Sequence, residues 1–177
     1  RVLVIGDSTG ASLQESLAQA AAGTFDVVGA SVFVCPLVRV DAVLLGEGLE
    51  YDPPACVDIE VDVPRLIAAY DIDAVVGVYG MMEQVPQRYP NDDQWHVAGS
   101  DGYVAYHERE MALLVEVLRR YDVPLVLLDA PYMRPEDDRY GHRPEEVDAW
   151  NAVIDGWDRD YAEVFHMDFG RWFPKAG

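Results

Sequence analysis

The feature that most constrains this chain is its opening, where a short aliphatic run ends in Gly-Asp-Ser. Residues Val2–Ile5 are all apolar and three of them are β-branched, which is typical of a strand buried on both faces. Gly6 permits a tight turn, and the apolar residues that follow recur at helical spacing. Asp7 and Ser8 are therefore expected between a strand and a helix, where open α/β sheets place ligand chemistry.

Ser8 has three interpretations on its residue type and position alone. Ser and Asp are both preferred as caps before a helix, so Ser8 is either a cap or a nucleophile whose hydroxyl is presented on the turn. A phosphate-binding turn is the weakest interpretation, because neither Gly-x-Gly-x-x-Gly nor Gly-Lys-Ser/Thr occurs in the chain. Free backbone N–H groups and the positive end of the helix dipole point at this position.

Apolar strand-like segments alternate with helical ones along the whole chain. Predicted strands cover residues 2–5, 25–30, 73–79, 124–128 and 164–169, predicted helices cover 10–22, 58–70, 101–120 and 144–161, and predicted loops cover 41–56, 84–102 and 133–144. Because we find no hairpin signal, this order predicts an α/β fold: a three-layer α/β/α sandwich around a five-stranded parallel sheet.

Composition bounds the class of protein. The 177 residues are half apolar, which fits one domain with a full core, and no run of about 18 apolar residues could span a membrane. The net charge of −19, from 32 acidic and 13 basic residues, repels nucleic acid and excludes it as a partner. The chain begins with Arg1 and lacks a signal peptide, so we expect a processed chain or an excised domain.

The two cysteines, Cys35 and Cys56, are either buried thiols of a cytosolic protein or a disulfide closing the acidic loop 41–54. We favour the disulfide because that loop has few hydrophobic anchors, and a crosslink there would contribute roughly 3 kcal/mol. A disulfide implies an oxidising compartment. The cysteines and histidines show no zinc-binding spacing, so we expect neither a metal nor another cofactor.

An ordered set of motifs resembles the SGNH (GDSL-type) hydrolases, and most of all the extracytoplasmic SGNH domains fused to membrane O-acyltransferases. The resemblance is carried by Gly6-Asp7-Ser8, Cys35-Pro36-Leu37, residues 73–80 with Glu83, residues 124–132, and residues 147–151. It implies a flavodoxin-like SGNH fold, a disulfide between the cysteines, and an esterase or O-acetyltransferase acting on acylated cell-envelope carbohydrate. It also implies an extracytoplasmic setting and a membrane acyltransferase domain as a partner on the same polypeptide.

The resemblance also assigns site residues. Ser8 would be the nucleophile, and the backbone N–H groups of Ser8, Gly80 and Val34 would form the oxyanion hole. Val34 stands where the family has Gly, and Met82 stands where standard members have the oxyanion-hole Asn. The acyltransferase-linked relatives have Gly-x-x-Glu instead, which this chain matches through Gly80 and Glu83.

Three residues are candidates for binding substrate: Asp7, Glu83 and Trp95. Glu83 would bind a sugar hydroxyl or orient a catalytic group, and its alternative is a solvated loop carboxylate. Trp95 and Tyr89 would stack on a sugar ring, and their alternative is local packing of a long loop.

The general base is the missing part, since the family's Asp-x-x-His block is not found after the fifth predicted strand. The literal Asp-x-x-His of this chain is Asp93 to His96, which we retain as a substitute pair. We expect the true block to follow Gly177, so that residues 1–177 are one SGNH domain without that segment. The alternatives are a degenerate domain that binds glycan or a partner protein, and a cytosolic nucleotide or phosphate binder.

Overall fold

The computed structural model describes residues 1–132 and 143–169, so most of the predicted loop 133–144 and the last eight residues lie outside the described residues. In chain order the elements are β1 (Val2–Gly6), α1 (Ser8–Ala20), β2 (Val27–Gly29), β3 (Ala42–Leu45), β4 (Leu49–Tyr51), α2 (Asp62–Tyr70), β5 (Ala74–Val78), α3 (Met81–Gln84), β6 (Gln87–Arg88), α4 (Asp101–Tyr121), β7 (Leu125–Leu128), α5 (Pro144–Asp160) and β8 (Val164–Met167).

The five predicted strands form one parallel sheet in the order β2-β1-β5-β7-β8. Gly6 lies opposite Val78, Val78 opposite Leu128, and Leu128 opposite Met167, so four strands end at one level. The turns that follow these strands therefore share one edge of the sheet, as the open α/β arrangement requires.

Helices cover both faces of the sheet, which confirms the predicted α/β/α layers. On one face, α1 packs Leu13 and Leu17 against the strand residues Val4 and Val78. On the other face, α2, α4 and α5 enclose the main core, whose largest buried side chains include Trp150 from α5. Strand residues alternate between the two clusters because successive side chains of a strand point to opposite faces.

A second sheet shows that the predicted loop 41–56 was wrong. Strands β3 and β4 form an antiparallel hairpin through a short 3₁₀ turn, Gly46–Gly48, and β6 pairs with the other side of β3. The signal was present in the sequence, since a three-residue connection rich in Gly between apolar runs is a hairpin pattern. Charge and proline around the hairpin obscured it.

Two helix starts also differ from the prediction. Helix α2 begins at Asp62 rather than at 58, because the Asp58 carboxylate accepts hydrogen bonds from the N–H groups of Glu60 and Val61 at 2.8 and 2.9 Å. Such a side-chain turn competes with helix. Helix α1 begins at Ser8, two residues before the predicted start, because the Asp7 side chain caps it.

The disulfide prediction is confirmed. Cys35 and Cys56 are bonded, with their Cα atoms 5.6 Å apart, and the bond joins the segment after β2 to the segment after the hairpin. In residues 1–132 and 143–169, no helix combines the length and apolarity needed to cross a membrane.

Candidate active site

Asp7, and not Ser8, caps helix α1. The Asp7 carboxylate accepts a hydrogen bond from the Thr9 N–H at 2.7 Å, and Ser8 is the first residue of the helix. The Ser8 side chain is partly exposed. The cap interpretation of Ser8 is therefore wrong, because the neighbouring Asp7 carboxylate makes the bond to the Thr9 N–H that a cap residue makes.

The turn that carries Ser8 is packed too closely to admit larger residues at two positions. A Cβ atom on Gly6 would lie 2.1 Å from the Val78 carbonyl oxygen, and one on Gly10 would lie 2.7 Å from the Ser31 Oγ. Glycine at these positions lets the β1–α1 turn lie directly against β5 and the segment after β2. The backbone around Ser8 is consequently fixed from two sides.

Gly80 lies beside the Ser8 turn, as the predicted oxyanion hole requires. Its N–H donates to the buried Asp7 carboxylate at 3.3 Å, and the Asp7 N–H donates to the Val78 carbonyl, also at 3.3 Å. Asp7 thus ties the ends of two neighbouring strands together. The Gly80 N–H could serve an oxyanion only by exchanging this long bond for a new one.

The segment after β2 contains a strained residue at the position where the resemblance expects Gly. Val34 has φ of 62°, in the left-handed region that a β-branched residue rarely adopts. Such a conformation costs about 1–3 kcal/mol and persists only where the surroundings impose it. The Val32 N–H donates to the Gly6 carbonyl at 2.9 Å, which places this segment next to the Ser8 turn.

Glu83 is fully buried, so it is not the solvated loop carboxylate that we kept as an alternative. One of its oxygens accepts a hydrogen bond from the Leu37 N–H, and the other, Oε2, has no hydrogen-bond partner. Burial holds the pKa of Glu83 well above its ordinary range; the bond from Leu37 opposes this rise, and the nearby Asp7 charge adds to it. Asp7 and Glu83 both hold backbone, and neither has exposed surface for a substrate.

The predicted Asp93–His96 pair is not formed. His96 Nε2 instead lies 2.9 Å from the carboxylate of Asp92, while Asp93 is exposed. The His96 ring stacks on Tyr89, with centroids 5.0 Å apart, and shares no hydrogen bond with Ser8. The Asp-x-x-His spacing misled because the chain turns after Asp92, which brings the residue four positions before His96 to its ring.

The other two histidines of the described residues are also away from Ser8. His166 Nδ1 bonds to Asp155 at 2.7 Å, and its strand is three positions from β1 in the sheet, or roughly 14 Å at ordinary strand spacing. His107 is enclosed in the core, where burial lowers its pKa to about 3.

Helix α5 makes hydrogen bonds to the backbone at the carboxyl edge of the sheet, where the site lies. Trp150 donates from its indole N–H to the Tyr79 carbonyl at 3.2 Å. The Asn151 amide accepts from the Ala130 N–H at 2.8 Å and donates to the Ala130 carbonyl at 3.1 Å. These contacts fix the turns after β5 and β7, a positioning role that sequence reasoning noticed only as part of the resemblance.

Trp95, the third candidate for binding substrate, already has a neighbour on its ring. The Arg88 guanidinium lies 5.0 Å from the Trp95 ring centroid, so one neighbour already contacts this candidate stacking surface. Within residues 1–132 and 143–169, no group of three or more His, Cys, Asp or Glu side chains is placed to hold a metal ion.

The chain is an α/β protein with a five-stranded parallel sheet, and several solved structures are similar to it. Three of them are the psychrotrophic esterase EstA from Pseudoalteromonas sp. inhibited by monoethylphosphonate (11% identity, 94% of this chain and 76% of that chain, TM-score 0.46), TesA (20%, 90% and 73%, 0.44), and L-threonine dehydrogenase from Clostridium difficile (12%, 92% and 50%, 0.43). No family model and no curated protein matches the chain.

Proposed function

We propose that this chain is an SGNH-type serine esterase or acyltransferase domain that acts on O-acyl groups of cell-envelope carbohydrate. The observation that carries the proposal is that Asp7 caps helix α1 and Ser8 does not. The Ser8 hydroxyl is therefore not used in capping, and Ser8 is a partly exposed residue at the carboxyl edge of the sheet. That is the presentation a nucleophilic serine needs.

In the proposed reaction, Ser8 Oγ attacks the carbonyl carbon of an acyl ester while a base takes its proton. The resulting oxyanion is stabilised by the Ser8 N–H, which is at the free first turn of α1, and by the positive end of that helix. Gly80 is the second donor, released from Asp7. The alcohol leaves with a proton, and water or a second hydroxyl then removes the acyl group from Ser8.

The base must come from outside the described residues, because none of His96, His107 and His166 forms a hydrogen bond with Ser8. The proposal places it in an Asp-x-x-His block following Gly177, as the resemblance implies. The carbohydrate class and the attached membrane acyltransferase domain rest on the same resemblance. The disulfide is consistent with the proposed extracytoplasmic location.

A direct test compares Ser8→Ala with Ser16→Ala, an exposed serine on the same helix. Both variants and the parent are assayed with a chromogenic acetyl ester and with a serine-directed phosphonate, on a chain that extends beyond Gly177. We expect Ser8→Ala to lose at least about a thousandfold in kcat/KM and all labelling, while Ser16→Ala matches the parent. Equal rates for Ser8→Ala and the parent would rule out the proposal.

The second candidate function is a degenerate domain that binds glycan or a partner protein, which the distance of the described histidines from Ser8 favours. It predicts acetylated-glycan binding in calorimetry without turnover or labelling of the extended chain. The cytosolic nucleotide or phosphate binder is disfavoured, because its expected free thiols are instead paired in the disulfide.

A further inference from the structure

We propose that Glu83 is a positioning residue that holds the segment Val34–Leu37 against the Ser8 turn. For its consequences on activity this inference rests on the proposed function, but the holding itself is measurable without any activity. Glu83 is suited to the task because it is at the centre of the contacts between three parts of the site.

The first argument is the set of contacts around Glu83. Its side chain accepts the Leu37 N–H, and its own carbonyl accepts the Tyr103 hydroxyl at 2.8 Å from α4. Gly80, three residues earlier, bonds to Asp7 next to Ser8. Glu83 therefore connects the segment after β2, across 46 residues of chain, to the segment whose Gly80 bonds to the residue before Ser8.

The second argument is the strain in the segment that Glu83 holds. Val34 is left-handed, Cys35 is in the disulfide, and Leu37 is bonded to Glu83. A strained residue persists only where its surroundings over-determine it. The disulfide restrains this segment from the surface side, and the Leu37–Glu83 bond restrains it from the interior.

The third argument is the electrostatic setting of Glu83. The groups whose charges bear on it are Asp7 and the tyrosines Tyr79, Tyr89 and Tyr103, none of which is a cation. Since Oε2 is buried without a partner, an ionised carboxylate here would lack compensation. Glu83 therefore acts as a neutral acceptor of the Leu37 N–H. A glutamine side chain at this position should accept the same hydrogen bond.

The experiment compares Glu83→Gln, Glu83→Ala and the matched control Gln84→Ala, which removes a neighbouring buried side chain of α3 that does not bond to the segment. Hydrogen exchange of the peptide covering residues 34–37 and the rate of phosphonate labelling are measured for each, with thiols titrated to verify the disulfide. We expect Glu83→Ala to speed hydrogen exchange of residues 34–37 and to slow phosphonate labelling, each by about tenfold or more. This is the size of change expected from the loss of one buried hydrogen bond. Glu83→Gln and Gln84→Ala should stay within about threefold of the parent.

A series of stability measurements against pH tests whether Glu83 is neutral in the folded protein. The pKa of Glu83 is raised in the folded protein, whereas in the unfolded chain the carboxyl group loses its proton above its ordinary pKa of about 4.3. The stability of the parent should therefore fall as pH rises from about 4.3 towards the raised folded pKa. Glu83→Gln should therefore be more stable than the parent at pH 8, and this advantage should vanish near pH 4.

The inference is overturned if Glu83→Ala exchanges like the parent, if Gln84→Ala produces the same change, or if Glu83→Gln behaves like Glu83→Ala. Failure of the proposed function looks different: the parent would be as inactive as Ser8→Ala, while the exchange of residues 34–37 would still respond to Glu83→Ala.

Discussion

Removing the disulfide should destabilise this protein by an amount that follows from its position in the chain. The double substitution Cys35→Ala and Cys56→Ala deletes a crosslink between residues 21 apart in sequence. For a loop of that length the chain-entropy model gives about 11 cal/mol/K, or about 3 kcal/mol at 25 °C. In a chain of this size, each kcal/mol shifts the melting temperature by roughly 2–4 °C, so we expect a fall of about 6–12 °C.

The assay is equilibrium unfolding in urea and by heat, followed by circular dichroism. The variant should lose about 3 kcal/mol in water and show a larger m-value, since its unfolded chain is no longer held in a loop. Reductant should bring the parent to the stability of the variant and should leave the variant unchanged. A loss below about 1 kcal/mol would refute the reasoning, because the crosslink would then not restrict the unfolded chain as the entropy model requires.

Two further predictions concern the packing at the site and the pH response of the core. Gly6→Ala should cost more than about 2 kcal/mol, because its Cβ would overlap the Val78 carbonyl. The helical control is Gly156→Ala, whose Cβ would make an ordinary contact with the Arg159 side chain at 3.8 Å, and it should gain up to about 1 kcal/mol in urea unfolding. Equal effects of the two substitutions would contradict the close-packing argument. His107, whose folded pKa is lowered to about 3, takes up its proton in the unfolded chain first, so stability should fall as pH drops from about 6.5 towards 3. His107→Gln should reduce that slope in urea titrations at pH 7 and pH 4, and an unchanged slope would show that His107 does not contribute.

Local patterns were sufficient for most of the secondary structure but not for its boundaries. The last helix was predicted at 144–161 and is observed as α5, Pro144–Asp160, with Trp150 and Trp157 buried on its inner face. Helix starts moved where a side chain competed for backbone N–H groups, as at Asp58. The hairpin of β3 and β4 was missed because its strands are three or four residues long and belong to a separate small sheet.

In the candidate site, too, some features could be predicted from the sequence and others could not. The position of Ser8 directly after the first strand and at the start of a helix was predicted from the sequence, since the residues around it have the pattern of a strand, a turn and a helix. The partner of His96 was misassigned, because a four-residue spacing within a turn does not reveal which carboxylate faces the ring. The burial of Asp7 and Glu83 could not be seen at all, because short polar segments are ordinarily expected at the surface.

The order of apolar runs, glycines and caps was enough to specify a parallel α/β sheet with a serine at its carboxyl edge, because strand and helix periods are local properties of the chain. The contacts that make this edge a site depend on residues far apart in sequence: Asp7 with Gly80, 73 residues away, and Leu37 with Glu83, 46 residues away. Such pairs meet only once the strand order β2-β1-β5-β7-β8 is established. Asp7 and Glu83 are then buried, and their carboxyl groups accept hydrogen bonds from backbone N–H groups because a buried polar group needs a partner.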